Sequence, residues 1–195
     1  MFLDISDFSA RPSVTQEQQQ NILETLALFF TEMIRVIEDY GGVVEKNTGD
    51  GLMAYFVRGA GSEHSAQQQS VSAALTMFDI AGRVINPILE RSGLQPVSFR
   101  ITMDHGPITI ARVGAAQRFN GIVAIGSTAN IASKMLAFAS PDTILIGEGV
   151  LGGLPDARRQ IFVRLQTRDT GWVRVADGNP YGFFQYTGRW LEPTT

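Results

Sequence analysis

Two short segments of the sequence carry aspartates that could bind divalent cations. Asp4 follows the apolar pair Phe2-Leu3, and Asp50 lies in Thr-Gly-Asp-Gly between the apolar runs 43–44 and 52–56. Because Asp-Gly between apolar runs is a strong β-hairpin signal, we expect Asp50 at the tip of a turn. Two carboxylates on adjacent strand ends can hold a pair of divalent ions, which suits chemistry on a triphosphate.

The composition excludes several classes of function. The 195 residues are 44% hydrophobic and 18% charged, which predicts a single domain, 1–195, with a substantial core. A net charge of −3 provides no basic surface for nucleic acid. No apolar run reaches the roughly 18–20 residues of a membrane span, and no signal peptide precedes the first strand. The absence of cysteine excludes thiolate metal sites and fits the cytoplasm. With only His64 and His105 available, oxygen ligands would favour Mg²⁺ or Mn²⁺.

The order of predicted elements indicates an α+β fold of the ferredoxin-like βαββαβ type with additional C-terminal strands. Apolar periodicity predicts helices over 16–40 and 64–91, the second with a kink at Asn86-Pro87. A third helix is predicted over 126–139, capped by Ser127 or Thr128. Beyond the first strand and the hairpin, we expect a helical turn at 148–151 and strands at 97–103, 108–113, 143–146, 160–166, 172–175 and 183–187. The helices should pack on one face of the sheet, which leaves the other face for a second copy of the chain.

Three segments together resemble the catalytic domain of class III nucleotidyl cyclases. They are Phe-Leu-Asp-Ile-Ser-Asp-Phe-Ser at 2–9, Lys-Asn-Thr-Gly-Asp-Gly at 46–51, and the strand 99–107 followed by the helix start 125–134. The resemblance covers about residues 1–150. It implies that a nucleoside triphosphate is converted to a cyclic mononucleotide in a head-to-tail homodimer. One chain would supply metals and phosphate loop, and the other would supply the base and ribose contacts.

The resemblance also assigns roles at the metal and phosphate end. Asp4, Asp50 and the carbonyl of Ile5 would bind two divalent cations. Backbone amides of the segment Ile5, Ser6, Asp7, Phe8 and Ser9 would bind the β- and γ-phosphates. Asp7 stands where the family commonly has glycine, so it points away from the phosphates, binds metal or weakens the site.

Four further roles follow from the resemblance at the other positions. Arg100 would contact phosphate and Asn130 would orient the ribose. Lys134 replaces an arginine that stabilises charge at the α-phosphate; it keeps the charge but loses the planar fork. His105 is predicted to be part of a turn and not a general base.

Lys46 and Val123 occupy the positions at which the family reads the nucleobase. Val123 offers no hydrogen bond to an exocyclic amine, whereas uracil has two carbonyls that Lys46 could address. The chain also resembles the bacterial pyrimidine (uridylate) cyclases of Pycsar antiphage signalling, which implies UTP as substrate, cyclic UMP as product and a separate effector protein. The alternatives are an ATP cyclase, since backbone carbonyls can bind the adenine amine, and a catalytically silent nucleotide-binding homologue.

Overall fold

The computed structural model describes residues 1–57, 63–115, 119–166, 169–174 and 176–190. The side chains of residues 115, 119, 120 and 122 are outside this description. Nine strands and six α-helices are present in the described ranges. The strands are β1 (Phe2–Ile5), β2 (Gly42–Asn47), β3 (Gly51–Phe56), β4 (Phe99–Met103), β5 (Thr109–Ala115), β6 (Phe119–Ile125), β7 (Ile144–Gly147), β8 (Val163–Leu165) and β9 (Phe183–Tyr186). The helices are α1 (Gln16–Asp39), α2 (Ala66–Ile80), α3 (Asn86–Arg91), α4 (Ser127–Met135), α5 (Glu148–Leu151) and α6 (Asp156–Phe162).

Seven strands form the main sheet in the order β2-β3-β1-β4-β7-β9-β8. The first four pair in antiparallel fashion, and β7 joins β4 in parallel. This arrangement confirms the ferredoxin-like βαββαβ prediction, and β7, β9 and β8 are its additional C-terminal strands. β5 and β6 form a separate antiparallel hairpin.

The two long helices form where the periodicity predicts them. α1 begins with a reciprocal capping box between Thr15 and Gln18 and ends before Gly41, whose φ is +74°. The predicted second helix contains α2, a π-helical turn over 81–85 and then α3. The π-helical turn ends two residues before Pro87, which lacks the N–H that a regular helix requires there.

Both faces of the sheet are covered by helices, so the prediction that all helices pack on one face was wrong. On one face, α1 and α2 pack against Leu3, Leu52 and Ile101. On the other face, α4 contacts β4 and β7, and Ala132 and Met135 belong to a smaller apolar cluster. Alternation along the strands explains this result, because neighbouring residues point to opposite faces. The second cluster also contains Ala139, Leu145 and Phe183, with Phe2, Ile131, Phe138 and Trp172 packed against it.

Four local expectations need correction. β5 pairs with β6, which was not predicted, and not with β4. Much of the predicted strand 160–166 belongs to α6, and only Val163–Leu165 is strand. The predicted strand 172–175 is reduced to one bridge between Val173 and Pro180, and residue 175 lies outside the described residues. α4 has no side-chain cap; Gly126 occupies the N-cap position, and the Thr128 hydroxyl donates instead to the carbonyl of Pro107.

Candidate active site

Asp4 and Asp50 lie on neighbouring strand ends. Asp4 is opposite Gly51 in the β1–β3 ladder, and the Ile5 amide donates to the Asp50 carbonyl at 2.9 Å. Glycine is required at position 51 because a Cβ atom there would lie 2.5 Å from the carbonyl oxygen of Leu3. The Asp-Gly turn thus allows β3 to approach β1 closely, and backbone hydrogen bonds hold the two acidic residues side by side.

The carboxylate of Asp4 is paired with Arg100, its direct neighbour across the β1–β4 ladder. Its Oδ2 accepts from Nη2 of Arg100 at 2.7 Å and from Nε at 2.9 Å. Nη1 of the same guanidinium donates to the carbonyl of Ala139 at 3.3 Å. Arg100 was predicted to contact phosphate, but here it serves as the counter-ion of Asp4.

The donor set at this strand end fits divalent cations with oxygen ligands. Within the described ranges, Oδ1 of Asp4 and the carboxylate of Asp50 accept no hydrogen bond, so these oxygens remain available. The same ranges contain no group of three or more His, Cys, Asp and Glu residues that could hold a metal ion. A cation at this position would therefore depend on the two carboxylates, the nearby carbonyl of Ile5 and oxygens of a substrate. The metal assignment stays a prediction.

The backbone amides of the segment 5–9 fall into two groups. The amides of Ile5 and Ser6 donate to the carbonyls of Asp50 and Ser98, so the chain itself already occupies these two predicted phosphate donors. The amides of Asp7, Phe8 and Ser9 have no acceptor within the described chain. These three residues lie at the start of the 3₁₀ turn over 8–10. Successive free amides at such a turn can bind an anion.

Asp7 adopts the left-handed backbone conformation, with φ +53° and ψ +25°. Glycine reaches this region without strain, and aspartate is among the few other residues that tolerate it. The side chain is exposed and makes no hydrogen bond within the described residues. The left-handed backbone conformation is therefore a sufficient physical reason for aspartate at position 7, where glycine would also fit without strain.

Asn130 and Lys134 lie on the exposed side of α4, where neither side chain bonds to another described residue. The opposite side of this helix packs on the sheet through Ala132 and Met135. The hydroxyl of Thr102 in β4 donates to the carbonyl of Ala132 at 2.6 Å, which fixes the helix to the strand. Both predicted catalytic side chains are therefore presented outward on a rigid element.

Lys46 and Val123 lie on strands that contact each other, β2 and β6. The Lys46 side chain is 51% exposed, and Val123 is half-buried opposite Ala111. Glu45, the residue before Lys46, was not singled out from the sequence. Its side chain is 0% exposed, and its Oε1 lies 3.7 Å from the Lys46 ammonium.

Asp104 is a half-buried acid that the sequence analysis did not single out. Its Oδ1 accepts from the Tyr181 hydroxyl at 2.7 Å and from the His105 amide at 2.8 Å. Burial raises the pKa of Asp104, and burial together with the Asp104 charge raises the pKa of Tyr181. Asp104 lines a cavity of about 710 Å³ beside α4, and none of the predicted site residues lines that cavity.

Comparison with known proteins yields one family and one fold. The family model described as "Adenylate and Guanylate cyclase catalytic domain" matches residues 1–183. No curated protein matches the sequence. In the described part of the chain, no helix has the length and apolar character needed to cross a membrane.

Three solved structures illustrate the fold similarity. The guanylyl cyclase Cya2 superposes with a TM-score of 0.79 at 20% identity, covering 98% of this chain and 91% of that one. The adenylyl cyclase CyaB from P. aeruginosa gives 0.72 at 22% identity, with coverages of 99% and 94%. The guanylate cyclase domain of RhGC from Catenaria anguillulae in complex with GTP gives 0.71 at 18% identity, with coverages of 97% and 94%. At these identities the structures establish the shared fold.

Proposed function

Because the chain belongs to the adenylate and guanylate cyclase catalytic-domain family, we propose that this nucleotidyl cyclase uses UTP and forms 3′,5′-cyclic UMP and pyrophosphate. The proposal depends on one observation: the two positions expected to read the base carry an exposed lysine, Lys46, and an apolar residue, Val123. Lys46 can donate to a uracil carbonyl. An amine placed against Val123 would lose its hydrogen bond, which costs about 1–3 kcal/mol.

The reaction joins the ribose 3′-oxygen to the α-phosphorus. The new O–P bond forms as the bond from the α-phosphorus to the bridging oxygen breaks, and pyrophosphate leaves with that electron pair while the 3′-hydroxyl proton passes to solvent. Two divalent cations, Mn²⁺ or Mg²⁺, held by Asp4, Asp50 and the Ile5 carbonyl would activate the 3′-oxygen and neutralise the leaving group. Asn130 orients the ribose, and Lys134 stabilises charge on the α-phosphate.

The amides of Asp7, Phe8 and Ser9 remain as backbone donors for the β- and γ-phosphates. Arg100, which pairs with Asp4 across the β1–β4 ladder, would contact the same phosphates after its guanidinium leaves the Asp4 carboxylate. Asn130 and Lys134 point outward from α4, so a second chain could receive them. We therefore place each site between two copies in a head-to-tail homodimer, with the metal half on one chain and α4 on the other.

A turnover assay with ATP, GTP, CTP and UTP in the presence of Mn²⁺ tests the substrate. We expect cyclic UMP to be the dominant product on chromatographic separation. Cyclic AMP as the dominant product would overturn the pyrimidine proposal. ATP is the second candidate because backbone carbonyls can accept from the adenine amine.

Mixing two inactive variants tests the composite site. Asp50→Asn damages the metal half, and Asn130→Ala damages the other half. In a 1:1 mixture, half of the dimers are mixed, and each mixed dimer has one intact site out of two, so about a quarter of wild-type activity should return. A mixture that stays inactive would place all catalytic residues on one chain.

We further propose that cyclic UMP is a signal in a cytoplasmic antiphage response, read by a separate effector protein. This role is carried over from the resemblance of the chain to the bacterial pyrimidine cyclases, together with the UTP preference proposed from Lys46 and Val123. Cellular cyclic UMP should rise after phage infection in cells that express the chain, and not in cells that express Asp50→Asn. An unchanged cyclic UMP level after infection would remove the antiphage role and leave the enzyme activity untouched.

A further inference from the structure

The cavity of about 710 Å³ beside α4 has the size of a small-molecule binding site. Apolar residues of three neighbouring strands line it, among them Phe2, Met53 and Met103. Val57 and Ile110 also line the cavity, and both are exposed to solvent. A ligand can therefore enter from solvent at these two residues and bury an apolar body against the strands.

Asp104 is the one acidic residue among the described residues that line this cavity, and it is half-buried. The hydrogen bonds from the Tyr181 hydroxyl and the His105 amide both end on its Oδ1. No side chain in the described ranges donates to Oδ2, so this oxygen is left for a further donor. Burial disfavours the ionised form of the carboxylate and raises its pKa, and a positive charge beside it would offset that cost.

The described residues that line the cavity include no lysine and no arginine. Met1 is among them, but burial lowers the pKa of its amino group to about 6, so that group carries little charge at neutral pH. Its hydrogen bond goes to the carbonyl of Ala54 at 2.9 Å. A polyphosphate in this cavity would face a carboxylate without a permanent cation, whereas a cationic ligand would be attracted.

We propose that this cavity is a second ligand site, separate from the triphosphate site, which binds a small apolar molecule that carries an ammonium group. The ammonium donates to Oδ2 of Asp104, and the apolar body packs among the lining residues of the sheet. Met53, which lines the cavity, is the ladder partner of Lys46, and Ala129, which also lines it, directly precedes Asn130. A ligand bound there contacts the neighbours of residues with predicted roles in substrate binding, so this site is placed to modulate turnover.

Tryptamine and indole-3-propionate are suitable probes, because they share an indole ring and carry opposite charges. Isothermal titration measures the Kd of each for the wild type, Asp104→Asn and Asp79→Asn. The wild type should bind tryptamine at least about tenfold more tightly than indole-3-propionate, and Asp104→Asn should bind tryptamine at least about tenfold more weakly than the wild type. Asparagine at 104 retains an acceptor oxygen for Tyr181. Asp79 is a half-buried carboxylate on α2 that pairs with Arg83 and does not line this cavity, so Asp79→Asn should keep the wild-type values.

A second pair of variants tests the charge preference without changing Asp104. Ile110 is exposed where it lines the cavity, so Ile110→Lys and Ile110→Glu should both fold. The lysine should weaken tryptamine binding and the glutamate should strengthen it, each by about two- to fivefold. The inference is wrong if the wild type does not bind tryptamine, if Asp104→Asn binds it equally well, or if the two Ile110 variants have the same affinity.

Competition with nucleotides determines whether this site is separate from the triphosphate site. The tryptamine titration is repeated at saturating concentrations of the α,β-methylene analogues of UTP and ATP, which cannot release pyrophosphate. The Kd of tryptamine should stay within about twofold of its value without nucleotide. Loss of tryptamine binding in the presence of either analogue would show that the nucleobase enters the cavity, and it would overturn the inference. The result does not depend on which triphosphate is the substrate, so this proposal and the UTP proposal fail separately.

Discussion

Replacement of Arg100 should increase the affinity of the strand-end carboxylates for Mn²⁺ in the absence of nucleotide. In the structure, Arg100 donates two hydrogen bonds to Oδ2 of Asp4. A cation that binds the free Oδ1 of Asp4 lies beside the guanidinium charge, and one that binds both oxygens must also share Oδ2 with Arg100. Arg100→Gln removes the competing charge and leaves the carboxylate in place. We therefore expect tighter Mn²⁺ binding and, because the phosphates lose a cation, weaker triphosphate binding.

The size of the effect follows from the geometry of this ion pair. Hydrogen bonds to charged groups contribute about 1.5–3 kcal/mol. The Arg100 and Asp4 side chains are 31% and 20% exposed, so solvent screening reduces the net contribution to about 1–2 kcal/mol. Removing the competition should lower the Kd for Mn²⁺ by about 5- to 30-fold.

Isothermal titration of Mn²⁺ into nucleotide-free protein measures this change directly. Arg159→Gln is the matched control, since Arg159 pairs with Asp156 within α6 and not with Asp4. The control should bind Mn²⁺ as the wild type does. An Arg100→Gln variant with unchanged or weaker Mn²⁺ affinity would refute the competition, and Asp4 would then be a structural partner of Arg100.

Three further predictions concern individual acidic residues. Asp50→Asn should abolish turnover with little change in thermal unfolding temperature, because its carboxylate bonds to no other described residue; remaining Mn²⁺-dependent activity would contradict the metal assignment. Asp7→Gly should leave stability nearly unchanged, whereas Asp7→Val should lower the free energy of unfolding by about 1–2 kcal/mol, since φ is +53° there; equal unfolding temperatures for the two variants would disprove the backbone explanation. Burial raises the pKa of Asp104 in the folded protein. The stability that protonated Asp104 allows is therefore complete below the pKa of the unfolded state, and it is lost as the pH rises through the pKa of the folded state. Asp104→Asn should therefore become more stable relative to wild type as the pH rises from acid to neutral, as measured by the free energy of urea unfolding. Parallel curves of this free energy against pH for the two proteins would contradict the prediction.

The sequence was sufficient for the features that depend on local chemistry. The hairpin around Asp50 follows from an Asp-Gly turn between apolar runs, and α1 follows from helical periodicity with a glycine after its end. The outward position of Asn130 and Lys134 follows from their spacing of four residues. These predictions need only neighbours within a few positions of the chain.

Features that depend on pairing between distant segments could not be predicted in this way. The amides of Ile5 and Ser6 donate to the carbonyls of Asp50 and Ser98, which are acceptors that only the assembled sheet provides. β6 has glycine at position 121 and asparagine at 120, so it lacks a clear strand pattern and forms by pairing with β5. Burial of Glu45 depends on a bulge, which alternation of apolar and polar residues does not reveal.

The attachment of α4 to β4 has a consequence for communication between the two sites of the proposed dimer. Thr102 bonds to the α4 carbonyl of Ala132, and Arg100, two residues earlier in the same strand, bonds to Asp4 and to the carbonyl of Ala139. In a head-to-tail pair, Arg100 belongs to one catalytic centre and Asn130 on α4 belongs to the other. If Arg100 moved when a nucleotide entered one centre of the proposed dimer, the strand β4 would connect this movement to the α4 helix of the other centre, and binding at the two centres would then be coupled.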